Sequence, residues 1–383
     1  MQANLLRRIV VKAGTNLLTS GGDKLDLSFM SSLVNQLIQL HDRGLEVALV
    51  SSGAVAAGRH ALDTRYGPEN EVQLTRFYNK RIPFRQVLAA VGQSKLMREY
   101  ELLFSKQNVF VAQALLTRRD IADRAGYLNI RNTLVSLLSM GVVPILNEND
   151  VVESKELEGD SIGDNDTLSA LVANLIDADL LVLLGDTEGL YTADPNVYAN
   201  ASLITRVDNI DTLQARASGT SNTQGRGGMV TKIEAARLAT SSGTPVVIAH
   251  GNELDVLLRL TSGELIGTWF SPTSNPLESR QRWMLSIMSP NVALQIDKGA
   301  ANALIYNNSS LLPAGIQMSR GRFKRGEVIP ILNEEGSRIA VGIVNYDVDD
   351  IERIMGLHSD LIGSTLGHEY GEEVVHRNNL VLL

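Results

Sequence analysis

The sequence predicts an α/β protein with a mostly parallel sheet, followed by a small, mainly β domain. In the first 270 residues, short apolar β-branched runs typical of buried strands alternate with stretches of helical periodicity. Polar turns follow these runs directly, as they do at the strand ends where open α/β sheets bind anionic ligands. After a polar, proline-containing stretch, period-two strands and glycine turns dominate.

The composition is that of a globular protein with two domains. The chain has 383 residues, of which 44% are hydrophobic and 20% are charged, and this length exceeds one typical core. It contains no cysteine, which excludes disulfides and thiolate metal sites. A net charge of −8 argues against a chain-wide nucleic-acid surface. No stretch has the pattern of a signal peptide or a membrane span, so we expect a cytoplasmic protein with no membrane partner.

Hydrophobic periodicity gives the elements of the first domain in order. Strands are predicted at residues 8–11, 46–50, 109–116, 142–146, 180–184 and 245–249. Helices are predicted at residues 27–43, 86–104, 127–140 and 229–242, after the polar turn at 163–166, and from about residue 253. Residues 62–84 are interpreted as a surface excursion at an oligomer contact, and residues 117–124 as a charged, solvated loop.

The second domain differs in its pattern. Strands are predicted at residues 292–296, 328–332 and 338–344, with one helix near residues 300–306. The chain is therefore divided into a first domain at 1–270, a linker at 271–280 and a second domain with a C-terminal tail at 281–383.

The first domain is organised around three polar turns that follow or precede buried segments. They contain Asn147 and Asp150, then Asn165 and Asp166, then Gly185 and Asp186. Asn165 or Asp166 fits the N-cap of the helix that follows, where a short oxygen-bearing side chain satisfies orphan amides. An ordinary turn or cap explains any single one of these side chains equally well. The whole set favours a ligand site at the strand ends.

Two lysines accompany small-residue turns. Lys12 closes the first strand beside Gly14, and glycine lets a phosphate approach the backbone while the ammonium adds a point charge. Lys232 follows the glycine-rich run at 218–228, an anion-binding arrangement at a helix N-terminus. That run is predicted as a mobile loop, either a linker or a lid. The small-residue turn at 51–58 suits tight packing and ligand contact equally.

Several familiar motifs are absent from the sequence. There is no G-x-x-x-x-G-K-[ST] P-loop, and the Gly-Arg-Gly-Gly run follows a loop rather than a strand, so it is no dinucleotide fingerprint. No serine lies in a nucleophile elbow, and the histidines lack the spacing of zinc ligands. No set of metal-ligating side chains is predicted.

Eight motifs, in order, cover nearly the whole chain: VVKAGTN, VSSGAVAAG, VLAAVGQ, NENDVV, GDNDTLSAL, LLGDTEGLYTADP, GRGGMVTKIEAA and SSLLPAGI. The set resembles the glutamate 5-kinases, a branch of the amino acid kinase family whose bacterial members carry a C-terminal PUA domain. The resemblance implies a three-layer sandwich around a mostly parallel sheet, plus a small PUA-like domain. It also implies ATP-dependent phosphorylation of the L-glutamate side-chain carboxylate to L-glutamyl 5-phosphate, the first step of proline biosynthesis.

The resemblance also implies a role for each site residue by its position in these motifs. The catalytic residues would be Lys12 and Lys232, which contact the transferring phosphoryl group, and Asp166, which orients both ammonium groups. Glutamate would be held by Ser52, Asp150, Asn165 and Asn147. The nucleotide would be held by Lys12, Gly185, Asp186, Arg226, Gly227, Gly228, Met229, Val230, Thr231 and Lys232.

The implied cofactors are ATP and Mg²⁺. The implied partners are L-glutamate, proline as a feedback inhibitor, further copies of the chain in a dimer or tetramer, and glutamyl phosphate reductase, which takes up the labile acyl phosphate. A kinase of the same fold that acts on N-acetylglutamate or aspartate is the nearest alternative, and the PUA-like tail disfavours it. The chain departs from the family pattern at Ala13, Asn16, Gly185 and Arg226, and its insertion at 62–84 is longer than expected.

RNA binding through the C-terminal domain is a hypothesis from a different class. Arg320, Arg322, Lys324 and Arg325 surround Phe323, and PUA domains elsewhere bind structured RNA. A solvated, charged β-turn is the simpler interpretation, and the acidic net charge favours it.

Overall fold

The computed structural model describes residues 6–66, 84–152, 165–195, 197–198, 200–210, 227–272, 281, 284–285, 288–289 and 291–383. The chain divides into two compact units, Met1–Arg118 with Thr133–Ser274, and Arg119–Asn132 with Asn275–Leu383. The predicted linker at 271–280 stays a prediction, because residues 273–280 lie outside the described part. Among the helices described, none is both long and apolar enough to cross a bilayer.

An eight-stranded sheet runs through the described part of the first unit, in the order β3-β4-β2-β1-β5-β7-β8-β6. The strands are β1 (Arg8–Ala13), β2 (Glu46–Ser51), β3 (Val111–Leu116), β4 (Val143–Glu148), β5 (Leu180–Gly185), β6 (Arg206–Val207), β7 (Val246–His250) and β8 (Thr268–Phe270). The six strands from β3 to β7 in this order are parallel, whereas β8 pairs antiparallel with β7. The mostly parallel sheet that the sequence predicts is confirmed.

Every strand predicted for the first domain is present, with ends within two residues of the expected positions. The central strands β1 and β5 are buried along their whole length. This explains why they are nearly continuous apolar runs rather than alternating ones, as expected for parallel strands covered on both faces.

Helices lie between the strands of this sheet along the chain. They are α1 (Thr15–Thr19), α2 (Leu27–Asp42), α3 (Ala54–Tyr66), α4 (Phe84–Ser105), α5 (Arg118–Ala122), α6 (Arg124–Ser139), α7 (Asn165–Leu175), α8 (Gly227–Ser241) and α9 (Val256–Thr261). Residues 119–132, which include most of α5 and the first part of α6, belong to the second unit. Residues next to helix α2 in the sequence determine where it begins and ends. The Asp26 carboxylate caps it by accepting from the amides of Ser28 and Phe29, and Gly44 follows its end with a φ of +84°.

Three local predictions are wrong. Asn165 and Asp166 lie inside the first turn of α7 rather than at its N-cap. The predicted loop at 117–124 contains the short helix α5, and residues 62–66 continue α3 instead of beginning a surface excursion. The rest of the predicted excursion, residues 67–83, lies outside the described residues.

The second unit contains a five-stranded sheet in the order β10-β9-β11-β12-β13. Its strands are β9 (Ala293–Ile296), β10 (Ile316–Arg320), β11 (Val328–Leu332), β12 (Arg338–Ile343) and β13 (Leu380–Leu382), and its helices are α10 (Lys298–Asn307), α11 (Val348–Ile354) and α12 (Ile362–Leu366). A core that includes Leu294, Ile331 and Tyr346 packs between them. The small, mainly β second domain is confirmed.

A close helix crossing in the first unit depends on two glycines. A Cβ at Gly58 of α3 would lie 1.9 Å from the carbonyl oxygen of Leu88 in α4, and one at Gly92 of α4 would lie 1.8 Å from the carbonyl oxygen of Ala54. No side chain fits at either distance, so the two backbones approach directly. The small residues of the turn at 51–58 therefore serve tight packing here.

Replacing Gly92 with alanine should lower the free energy of unfolding by at least about 1–3 kcal/mol, because the clash involves backbone rather than a flexible side chain. Urea denaturation measures this loss. The matched control is Gly22→Ala, whose new Cβ meets its nearest neighbour at an ordinary 3.4 Å. Equal stability of the two variants would show that α3 and α4 do not cross as described.

Candidate active site

Two lysines share one buried carboxylate at the carboxyl ends of the central strands. The Lys12 ammonium at the end of β1 lies 2.6 Å from Oδ1 of Asp166, and the Lys232 ammonium on α8 lies 3.1 Å from Oδ2. Thr231 donates a hydrogen bond to the same Oδ2 at 2.9 Å. Asp166 is fully buried, and the side chains of Lys12 and Lys232 are only 4% and 12% exposed. The three residues that the resemblance names as catalytic therefore meet in space.

The charges of the lysines decide the ionisation of Asp166. Burial by itself would raise the pKa of this carboxyl group, but the ammonium groups of Lys12 and Lys232 outweigh burial, and hydrogen bonds from Lys12 and Thr231 add to their effect. The net pKa of Asp166 lies below its usual range. The carboxylate is therefore ionised at neutral pH and compensates the two buried ammonium charges.

A polar cavity of about 430 Å³ contains the residues predicted to hold glutamate. Ser52 follows β2, Asn147 lies in β4, Asp150 follows β4, and Asn165 opens α7; all four line it. They meet because parallel strands present their carboxyl ends at one edge of the sheet. Register confirms the alignment, since Ala13 of β1 is level with Ser51 of β2.

Hydrogen bonds join these side chains into a chain of amides. Nδ2 of Asn165 donates to Oγ of Ser52 at 2.7 Å and to Oδ1 of Asn147 at 2.9 Å. Nδ2 of Asn147 donates in turn to Oε1 of Gln93 at 2.8 Å. Asn165 directly precedes Asp166, so the polar wall of the cavity continues into the pair of lysines.

The residues predicted to hold the nucleotide lie beside Lys232. Asp186 follows β5, and the Asn16 amide donates to its Oδ2 at 3.0 Å. This hydrogen bond is the main reason why the pKa of Asp186 lies below its usual range, with a smaller contribution from Lys232. A Cβ at Gly185 would lie 3.1 Å from Cε of Lys232, so glycine leaves space for that side chain.

Helix α8 begins at Gly227 and carries the other predicted nucleotide residues, Gly228, Met229, Val230 and Thr231, in its first two turns. The Lys232 ammonium also donates to the carbonyl oxygen of Gly228 at 3.3 Å. Arg226 and the remainder of the predicted glycine-rich loop to residue 226 lie outside the described residues.

Sequence reasoning missed several residues of this region, among them Glu148, which lines the cavity. Arg59 and Arg85 line the cavity, and the Arg85 side chain lies 4.0 Å from the Asp150 carboxylate. Gln93 and Asn16 act on neighbouring site residues through their amides. The motif VLAAVGQ contains Gln93, but nothing in its periodicity distinguishes a buried hydrogen-bond partner from a solvated helix residue.

The basic cluster of the second unit is engaged in contacts within that unit. Phe323 is buried, and Arg322 forms an ion pair with Asp349. The guanidinium of Arg325 stacks 3.8 Å from the ring centre of Tyr370 and donates to the Asn345 carbonyl oxygen at 3.0 Å. These contacts engage two of the four basic side chains, and RNA binding by this domain stays a prediction.

Fold and geometry together describe an α/β protein with a polar cavity at the carboxyl ends of its parallel strands. The sequence profile of the amino acid kinase family matches residues 7–250, and that of the PUA domain matches residues 293–364. The chain belongs to the amino acid kinase family. The predicted enzyme class, a kinase, is thereby confirmed.

Curated relatives match over the full length. The chain is 50% identical to "Glutamate 5-kinase" of Dehalococcoides mccartyi over 384 aligned positions, which cover 100% of both chains. It is 47% identical to "Glutamate 5-kinase" of Herpetosiphon aurantiacus, again over 100% of both chains. It is 45% identical to "Glutamate 5-kinase" of Pasteurella multocida, over 98% of this chain and 99% of the relative.

Replacing Asp166 with asparagine removes the shared counter-ion and leaves two ammonium groups close together and buried. We expect the free energy of unfolding at pH 7 to fall by about 3–5 kcal/mol, measured by urea denaturation. The folded-state pKa of Asp166 is depressed, so its stabilisation is present above the usual pKa and is lost as the pH falls through the folded value. The difference in the free energy of unfolding between wild type and variant should therefore become smaller below about pH 4.

The matched control for this variant is Asp42→Asn at the exposed end of α2, which should change stability by less than about 0.5 kcal/mol. A loss of the same size in both variants, or a gap that stays constant down to pH 2, would contradict the assignment of Asp166 as a buried, ionised counter-ion.

Proposed function

We propose that the protein transfers the γ-phosphoryl group of ATP to the side-chain carboxylate of L-glutamate, giving L-glutamyl 5-phosphate and ADP, the first step of proline biosynthesis. The observation that carries the proposal is the pair of ammonium groups on Asp166, directly beside a cavity that contains both carboxylates and guanidinium groups. The names of the full-length relatives support the choice of acceptor.

The residues suit phosphoryl transfer to a carboxylate. A carboxylate oxygen of the substrate attacks the γ-phosphorus while the bond to the β-phosphate oxygen breaks and ADP leaves. A glutamate side chain is already ionised near neutral pH, so no general base is required. The ammonium groups of Lys12 and Lys232 would compensate the charge spread over the phosphoryl oxygens, and Asp166 keeps both aimed at that place.

The cavity suits a zwitterionic amino acid. Glu148 and Asp150 supply negative charge for an α-ammonium group, and Arg59 and Arg85 supply positive charge for an α-carboxylate. An N-acetylated acceptor would bring a neutral amide to the carboxylate of Asp150, which would then gain no positive charge from the ligand. This charge pattern favours a free amino acid over N-acetylglutamate.

The nucleotide would lie over Gly185 and Asp186 and against the N-terminal turns of α8, where backbone amides and the helix dipole favour anionic phosphates. No group of three acidic or histidine side chains that could hold a metal occurs in the described part of the chain. Mg²⁺ commonly keeps one or two carboxylates and substrate phosphates as ligands. Asp186, exposed and with a lowered pKa, would be the carboxylate that holds it, and the ion would supply charge compensation on the phosphates.

Regulation and partners form the finer part of the proposal. L-Proline carries the same α-carboxylate and a secondary ammonium group, so it suits the same charges of the cavity and would inhibit by competing there. The acyl phosphate product hydrolyses in water, which favours its transfer to glutamyl phosphate reductase. We include a homo-oligomer, dimer or tetramer, as the expected assembly.

The purified protein should release ADP in proportion to added L-glutamate and should form a glutamyl hydroxamate when hydroxylamine traps the acyl phosphate. Aspartate and N-acetylglutamate serve as alternative acceptors in the same assay. Turnover of either of these without turnover of glutamate would refute the proposed acceptor. Absence of ADP release with every acceptor would refute the kinase site as described.

Replacing Lys232 with alanine should reduce kcat by about 10²–10³-fold, because one of the two donors to the developing charge is lost. The affinity for glutamate should stay nearly unchanged, since Lys232 does not line the glutamate cavity. Steady-state kinetics measure both quantities. The control is Lys106→Ala in the exposed turn after α4, which should retain wild-type kinetics. A variant at Lys232 with unchanged kcat would remove this residue from the mechanism.

A further inference from the structure

Gln93 lies outside the described lining of the cavity and is hydrogen-bonded to an amide that lines it. It lies on α4 and is half-buried. Its Oε1 accepts a hydrogen bond from Nδ2 of Asn147 at 2.8 Å. Asn147 is 4% exposed, so this donor has little access to water.

The backbone N–H of Glu148 determines which way the side-chain amide of Asn147 is oriented. The N–H of Glu148 can only donate, and it donates to Oδ1 of Asn147 at 2.9 Å. Nδ2 of Asn147 must then point to the opposite side, where Gln93 supplies the acceptor. The oxygen of Asn147 also receives Nδ2 of Asn165 at 2.9 Å. Glu148 and Gln93 therefore hold the Asn147 amide from its two sides, and that amide in turn orients Asn165.

The orientation of these amides determines which hydrogen-bonding atoms of the cavity remain available to a ligand. Nδ2 of Asn165 is engaged with Asn147 and Ser52, so Oδ1 of Asn165 remains as an acceptor. This oxygen is buried and receives no hydrogen bond from the described residues. Because Oγ of Ser52 accepts from Asn165, its own hydroxyl proton is available to donate. The cavity wall thus presents Oδ1 of Asn165 as an acceptor and the hydroxyl of Ser52 as a donor.

We propose that Gln93 is a positioning residue for amino acid recognition: through Asn147 it fixes the amide of Asn165 so that Oδ1 accepts from the substrate α-ammonium group. The inference rests on the proposed function, since it assigns an atom to a group of that substrate. Gln93 itself touches no substrate. Its effect is on the choice between amino acids and plain dicarboxylates.

Loss of the acceptor at position 93 has a defined consequence. A buried donor without a partner is unfavourable, so Asn147 would turn its amide toward the cavity, where water can accept the hydrogen bond. Asn165 then loses the acceptor that holds its Nδ2, and its oxygen is no longer fixed for an ammonium group. The ion pairs of Lys12 and Lys232 with Asp166 are made by side chains other than these amides.

The test compares Gln93→Leu with Gln93→Glu. Leucine removes the acceptor and should raise the KM for glutamate by about tenfold, with kcat and the KM for ATP within about twofold of wild type. The preference for glutamate over glutarate, which lacks the α-ammonium group, should fall by about the same factor. The variant Gln93→Glu keeps an oxygen acceptor for Asn147. Its KM for the substrate glutamate should stay within about threefold of wild type.

Gln107→Leu, the same substitution in the exposed turn after α4, is the matched control and should retain wild-type kinetics. An unchanged KM for glutamate in Gln93→Leu overturns the inference, as does an equal rise in the KM values for glutamate and ATP. If the leucine variant does not fold, Gln93→Met, similar in shape and without an oxygen, is judged by the same criteria. An inactive wild type would refute the proposed function, whereas an active wild type with an insensitive variant refutes the role of Gln93 alone.

Discussion

The described site depends on one buried carboxylate, that of Asp166, which lies between the ammonium groups of Lys12 and Lys232. Two like charges are unfavourable at such depth unless a counter-ion is shared between them. The shared carboxylate therefore offsets the repulsion between the two ammonium groups, so that both can lie buried at one place. It also joins β1, α7 and α8, three elements that are distant in sequence.

Backbone geometry places the remaining groups around this carboxylate. The parallel register of β1, β2 and β5 brings their carboxyl ends level, so Lys12, Ser52 and Asp186 leave the sheet at the same edge. Gly92 of α4 packs directly on the backbone of α3, and the next residue, Gln93, accepts the hydrogen bond from Asn147. The site is thus assembled by packing constraints that lie outside the cavity.

Periodicity predicted much of this fold because its strands are nearly continuous apolar runs and its helices have one apolar face. Predictions failed where a local signal had two meanings. Asn165 and Asp166 have the composition of a cap, yet both lie within the helix, where their side chains are committed to partners far away in sequence. The charged run at 117–124 has the composition of a loop, yet part of it forms a helix because a single turn needs no apolar face.

The sequence by itself determined the order of strands and helices, the family, and the residues that meet at the strand ends, because these are encoded in local patterns and in motifs. Only the tertiary structure decided which oxygen of Asp166 faces which lysine, and that Arg59, Arg85 and Gln93 belong to the site. The physical reason is that a hydrogen bond or ion pair is defined by distance and direction. Both depend on how separate elements pack, and no local pattern records them.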